Sequence, residues 1–225
     1  MGELNSALSS GKDVKLSGNI DSSEDIVKIE SNNTLDGQGN TMISDQKRMI
    51  TTTGGTIKNI IIDGKNLKSA TAETKRGIFN DGKEGTQKAT ADVNLENVTF
   101  TGLGYAFNLY AESGSGAKLS VIDCNIEGWS SFTGFDSAIF ESCKFTMGNY
   151  FTITDPLTQF WNGCVNCHVN TVFEDCDFEN GFKIGYGNGT TPTITFKNCR
   201  LDGVDITSSN VSNLYADSGM VITVI

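Results

Sequence analysis

The chain has 225 residues, two prolines and a formal net charge of −10. This composition suits one elongated domain, residues 1–225, and argues against nucleic acid or an anionic membrane as the main partner, since both favour lysine and arginine. No apolar run approaches the roughly 18 residues that a membrane helix needs. The start of the sequence lacks the basic and apolar regions of a secretory signal, so we expect synthesis in a cytoplasm.

A short helix is predicted over residues 3–10, with Leu4, Ala7 and Leu8 on one face. Repeat proteins need a cap over the open end of their core, and residues 1–11 are expected to supply it. Apolar residues then alternate in strand fashion near Val14 and Ile26, where the repeating part of the chain begins.

An eight-residue phrase recurs along the chain, with apolar residues at its first, fourth and sixth positions. Its copies begin at Ile57, Leu95, Val121, Phe140, Phe173 and Phe196. The fourth and sixth positions fit one face of a strand, but the first and fourth are three apart, so a corner must lie between them. The third position holds residues that tolerate a left-handed backbone, mostly asparagine and aspartate: Asn59, Asn97, Asp123, Ser142, Asp175 and Asn198.

The inward positions align into two columns across the copies. The first contains Ile60, Val98, Cys124, Cys143, Cys176 and Cys199, and the second contains Ile62, Phe100, Ile126, Phe145, Phe178 and Leu201. Like residues stacked on parallel strands predict an all-β fold, a single right-handed parallel β-helix of about nine coils, roughly 43 Å long at about 4.8 Å per coil. The phrase resembles the pectate-lyase-like β-helix superfamily, including its asparagine corner, and the chain is most similar to short phage fibre and tailspike-type β-helix proteins.

Three segments depart from the repeat. Residues 65–90 are polar and locally basic and are predicted to form loops flanking a short strand at 77–79; residues 154–170 are predicted as a second loop insertion. Residues 214–225 form an apolar terminal strand, which needs a partner chain, a neighbouring domain or burial under its own last loop.

The six cysteines are expected to be reduced thiols, because Ile60 and Val98 fill the same inward column and the position therefore needs only a small apolar group. Cys164, Cys167 and His168 form the C-x-x-C-H pattern of covalent haem attachment. His168 is the only histidine, however, and a zinc site would need further ligands. We therefore expect no metal and no cofactor.

Two sets of residues are candidates for chemistry on a glycan. Asp136 and Asp155 lie in sequence near the two tryptophans and would be the catalytic pair if the chain were an enzyme. The aromatic residues Trp129, Trp161 and Tyr150 would stack on sugar rings. The motifs of pectin-cleaving relatives are missing, which favours a non-enzymatic role.

The leading functional hypothesis is a structural or attachment protein of a tailed-phage virion, a short fibre, tail or capsid-decoration component with a cell-surface glycan as a candidate ligand. The resemblance implies a homo-oligomer, typically a trimer, made in the host cytoplasm and bound to other virion proteins. The alternatives are a β-helix polysaccharide lyase or glycoside hydrolase, and a bacterial surface or secreted adhesin that binds glycans.

Overall fold

A computed structural model describes residues 2–23, 25–44, 46, 48–64, 76–82, 86–148, 163–186, 191–215 and 220–225. These residues are mostly β-structure. The elements in chain order are α1 (Gly2–Ser9), β1 (Val14–Lys15), β2 (Ile20–Asp21), β3 (Val27–Ile29), β4 (Thr34–Asp36), β5 (Thr41–Ile43), β6 (Arg48–Thr52), β7 (Gly55–Asp63), β8 (Arg76–Phe79), β9 (Val93–Thr101), β10 (Tyr105–Tyr110), β11 (Lys118–Ile122), β12 (Asn125–Glu127), β13 (Trp129–Thr133), β14 (Ser137–Glu141), β15 (Lys144–Thr146), β16 (Cys164–Cys167), β17 (Thr171–Glu174), β18 (Asp177–Phe178), β19 (Lys183–Tyr186), β20 (Thr193–Lys197), β21 (Arg200–Leu201), β22 (Val204–Asp205), a 3-10 helix (Val211–Leu214) and β23 (Val221–Val224).

The strands form two sheets. The small sheet has the order β19-β16-β13-β10-β8-β6-β3, and the other sixteen described strands form the large sheet. Among the described strands every pairing is parallel except that of β21 with β22. From β6 to β21 the chain alternates between the two sheets, so each repeat adds one strand to the small sheet and one bent segment to the large sheet.

The bend in the large sheet lies at the predicted corner. All six residues at the third phrase position have φ between 50° and 54°, as predicted. The asparagine side chains also bond to one another along the sheet: Asn97 Nδ2 donates to Asn59 Oδ1, and Asn59 Nδ2 donates to Asp36 Oδ1, both at 3.0 Å. The short amide side chain thus permits the left-handed backbone and ties adjacent repeats together.

The core lies between the two sheets and is built from the predicted columns. Ile60 pairs with Val98, and Ile62 with Phe100, at the same register position of β7 and β9. Rings from neighbouring strands stack: Phe145 lies 4.9 Å from Phe178, centroid to centroid, with 11° between the planes. Offset ring pairs of this kind add to the stabilisation that burial supplies.

Helix α1 packs over one end of this core with Leu8 fully buried, as predicted. The strand predicted at 77–79 is β8. One boundary is wrong: residues 164–167, predicted as part of a loop insertion, form β16, whose Val165 is fully buried. The strands of the small sheet lack the repeated phrase, so sequence alignment placed this one in a loop.

Candidate functional site

Four large side chains occupy one register position on consecutive strands of the small sheet. Arg48 of β6 pairs with Arg76 of β8, Arg76 pairs with Tyr105 of β10, and Tyr105 pairs with Trp129 of β13. Each is the first residue of its strand. Because adjacent parallel strands lie about 4.8 Å apart, the four residues span roughly 14 Å.

These residues, together with Phe79, form a continuous cluster that we call the arginine–aromatic column. The guanidinium carbons of Arg48 and Arg76 lie 4.5 and 4.3 Å from the centroid of the Phe79 ring. Arg76 also lies 4.7 Å from the Tyr105 ring, and the Tyr105 and Trp129 rings are 4.3 Å apart with 40° between their planes. Each arginine is thus held over an aromatic face, where the ring quadrupole attracts a cation.

A bulge in β10 positions the middle of the column. The register of β10 against β13 shifts between Tyr105 and Phe107, so that Tyr105 faces Trp129 while Phe107 faces Ser130. Bulges of this kind re-aim one side chain without disturbing the rest of the strand. Phe107 therefore stays in the core while Tyr105 joins the column.

The column is partly covered. Phe79 and Tyr105 are 1% and 9% exposed, whereas Arg48, Arg76 and Trp129 are half-buried. Half-buried arginine and tryptophan side chains keep part of their surface available to a ligand.

Several polar atoms around the column are buried without a hydrogen-bond partner among the described residues. They include Nε of Arg76, and Oγ1 of Thr51 and Oδ1 of Asn108. Asn108 pairs in register with Phe79, and Thr51 follows Ile50, the partner of Ile78. More than nine in ten buried polar groups find a partner in folded proteins, so this cluster is unusual.

No family model matches the chain, and no match was found among curated proteins or solved structures. Aromatic faces stack on sugar rings, and a guanidinium binds a carboxylate through two parallel hydrogen bonds. The column offers both kinds of contact side by side.

The structure separates two residues that the sequence grouped together. Trp129 begins β13, and Asp136 follows the end of that strand, exposed, with its backbone N–H donating to the carbonyl of Ala117. The four residue steps of β13 place its two ends about 13 Å apart, with Trp129 at the first end and Asp136 three residues beyond the second. Tyr150, Asp155 and Trp161, the other predicted site residues, lie outside the described residues.

Sequence reasoning missed the other four members of the column. Arg76 was assigned to a basic insertion, and Arg48, Phe79 and Tyr105 were assigned no role. One signal was available: the sequence contains three arginines, and two of them are Arg48 and Arg76.

Two outward carboxylates of the large sheet, Glu127 and Glu179, make polar contacts with neighbouring strands. Thr101 Oγ1 donates to Glu127 Oε2 at 2.6 Å, and Lys144 Nζ lies 2.9 Å from Glu179 Oε1. Across the described residues, no three histidine, cysteine, aspartate or glutamate side chains are grouped to hold a metal ion. No described helix has both the length and the apolar character needed to span a membrane.

All six cysteines are thiols rather than disulfides, as predicted, and all are buried. Cys124, Cys143, Cys176 and Cys199 stack on consecutive repeats, and each thiol donates to a backbone carbonyl of the preceding repeat: Leu95, Val121, Phe140 and Phe173 respectively. The contact with Cys143, and then burial, raise the pKa of the Cys124 thiol. Neutral buried thiols pack like small apolar groups and are poor nucleophiles.

The C-x-x-C-H segment is built into the small sheet. Cys164 and Cys167 lie at the ends of β16, and burial raises the pKa of the Cys167 thiol to about 12. Burial also lowers the pKa of His168, which follows the strand. The pairing of β16 with β13 on one side and β19 on the other fixes the positions of both cysteines.

Proposed function

We propose that the chain is a single right-handed parallel β-helix that binds a glycan without cleaving it, as a fibre, tail or decoration component of a tailed-phage virion. The parallel ladders, the left-handed corner residues and the alternation between two sheets support the β-helix. Its handedness follows from the strong preference of parallel crossover connections for the right-handed form.

The observation that carries the glycan-binding proposal is the arginine–aromatic column. Arg48, Arg76 and Trp129 are half-buried along roughly 14 Å and would contact consecutive sugars of an extended chain. The buried rings of Phe79 and Tyr105 hold them in place. None of its five residues is a carboxylate or a histidine. Glycosidases need two carboxylates about 5 to 10 Å apart across the sugar, so the column has the groups for holding a glycan but not for hydrolysing it.

Exposed apolar residues on the last repeat support the self-associating virion component. Val204, Val221 and Ile225 are 61%, 52% and 73% exposed, and among the described strands β23 pairs only with β20. A second copy of the chain would cover this edge. The apolar edge and the column lie on different sheets, so oligomer contact and glycan contact do not compete.

The column is tested by replacing one ring and measuring binding to immobilised capsular and lipopolysaccharide glycans of bacteria. Tyr105→Ala removes the central ring and should weaken binding at least about tenfold, or about 1.4 kcal/mol. Tyr110→Ala, at the other end of β10, is the matched control and should bind as the wild type does. Equal weakening by both variants, or no effect of Tyr105→Ala, would remove the column from the site.

Two further measurements separate this function from its alternatives. Release of reducing ends from a bound glycan would show a hydrolase or lyase instead of a binding protein. Self-association is measured by analytical ultracentrifugation, where Val221→Asp should shift the protein from oligomer towards monomer. A wild-type chain that stays monomeric at high concentration would contradict the virion oligomer but not the glycan site.

A further inference from the structure

We infer that the glycan is anionic, and that Arg48 and Arg76 together hold a carboxylate group of a uronate-type sugar. This inference rests on the proposed glycan-binding function and specifies its ligand. It depends on the two arginines, which a site for a neutral glycan would not need.

The first observation is the juxtaposition of two like charges. Arg48 and Arg76 are direct register partners on β6 and β8, and both guanidinium groups lie over the Phe79 ring. Like charges directly opposite each other on neighbouring strands are destabilising. Stacking on Phe79 offsets part of that repulsion, and an anion bridging the two groups would offset more of it.

The second observation is the concentration of arginine in this one place. The chain carries a net charge of −10 and three arginines, of which two are in the column. The third, Arg200, pairs with Asp177 on the large sheet, with Nε to Oδ1 at 2.7 Å and Nη2 to Oδ2 at 2.8 Å. Among the described residues no carboxylate forms such a pair with Arg76, so its fork is the group suited to an external carboxylate.

The third observation is the set of unsatisfied polar atoms beside the two arginines. Arg76 Nε is a donor without an acceptor, while Asn108 Oδ1 is an acceptor without a donor, and Thr51, 8% exposed, has its hydroxyl unpartnered. The half-buried Arg48 and Arg76 side chains, rather than these buried atoms, are what a uronate carboxylate would reach. Trp129, half-buried at the end of the column, would stack on the following sugar.

The test uses three uronate polysaccharides, hyaluronan, alginate and chondroitin, each in its native form and in a carboxyl-reduced form. Reduction replaces the carboxylate by a neutral alcohol and leaves the sugar backbone unchanged. We expect wild-type protein to bind the native form of at least one polysaccharide about tenfold or more tightly than its reduced form. That preference should weaken as sodium chloride is added.

Arg76→Gln should abolish the preference for the native form, and Arg76→Lys should reduce it because a lysine keeps the charge but loses the fork. Arg200→Gln is the matched control, since it removes the same charge from the large sheet and should leave the preference intact. The salt titration of wild-type binding keeps the inference testable should Arg76→Gln fail to fold.

The outcomes separate the two proposals. Equal binding of native and reduced forms would overturn the anionic ligand and leave the glycan site standing. A preference that survives in Arg76→Gln, or that is lost equally in Arg200→Gln, would overturn the role of the column arginines. Binding to none of the six polysaccharides would overturn the uronate assignment, and Tyr105→Ala on the broader glycan panel would then decide the proposed function.

Discussion

Replacing Asn59 tests whether the corner residue, and not general polarity, shapes the large sheet. Asn59 has φ 51°, donates to Asp36 Oδ1 and accepts from Asn97 Nδ2, both at 3.0 Å. Two variants separate the two contributions. Asn59→Ala removes both hydrogen bonds and places alanine, which has a Cβ atom, in the left-handed backbone region. Asn59→Gly also removes both hydrogen bonds, but glycine adopts that backbone conformation without strain.

The magnitudes follow from these two terms. Two half-exposed hydrogen bonds contribute about 1–2 kcal/mol together, taking the lower end of the usual range. The left-handed conformation costs alanine a further ~1–2 kcal/mol. Asn59→Ala should therefore lower the free energy of unfolding by about 2–4 kcal/mol, and Asn59→Gly by about 1–2 kcal/mol.

The assay is urea unfolding followed by circular dichroism, with a thermal scan as the second measurement. For a chain of this size 1 kcal/mol shifts the Tm by about 2–4 °C, so the glycine variant should melt about 2–8 °C above the alanine variant. Asn94, on the same sheet with an ordinary φ and one long hydrogen bond to Thr56, is the control position. There the order should reverse, because glycine in a strand costs about 0.5–1 kcal/mol relative to alanine. An Asn59→Gly protein no more stable than Asn59→Ala would refute the reasoning.

The remaining predictions concern the core and its titrating groups. Phe173→Ala removes a buried ring that lies 5.0 to 5.7 Å from four other phenylalanine rings, and should lower the free energy of unfolding by about 3–5 kcal/mol in the same urea assay. Ser130→Ala removes a buried hydroxyl without a partner among the described residues, and should leave stability unchanged or raise it by up to about 1 kcal/mol; a loss above that would show that the hydroxyl is satisfied. Burial alone would raise the pKa of Asp36, but hydrogen bonds from Asn59 and Gln38 outweigh it and lower the pKa below 3.8. The folded state therefore holds fewer protons than the unfolded state near pH 3–4, and urea midpoints should show wild type losing its advantage over Asp36→Asn as the pH falls through that range. Iodoacetamide should label no thiol rapidly in the native protein and all six in urea, counted by mass spectrometry, because burial raises the pKa of thiols such as that of Cys167.

The corners and the inward columns could be predicted from the sequence because each depends on few, local choices. A residue that tolerates positive φ, followed by apolar residues at fixed offsets, determines both the bend and the buried face of that segment. The copies share this pattern, so aligning them also gave the register of β7 with β9 and of the later repeats. The same alignment predicted reduced thiols for the four cysteines of the first column, since isoleucine and valine fill that column elsewhere, and the lack of a secretory signal led to the same prediction for all six.

The arginine–aromatic column was decided by the tertiary structure. Its register positions 48, 76, 105 and 129 are separated by 28, 29 and 24 residues, and they hold arginine, arginine, tyrosine and tryptophan. Because the connections between these positions differ in length, aligning the repeats does not bring the four residues into one column. No sequence preference of the kind seen at the corners identifies the first residue of a small-sheet strand. The local sequence determines where each segment bends and which face it buries. The column forms only when β6, β8, β10 and β13 pair. Strand pairing joins distant parts of the chain, whereas a corner depends on neighbouring residues alone.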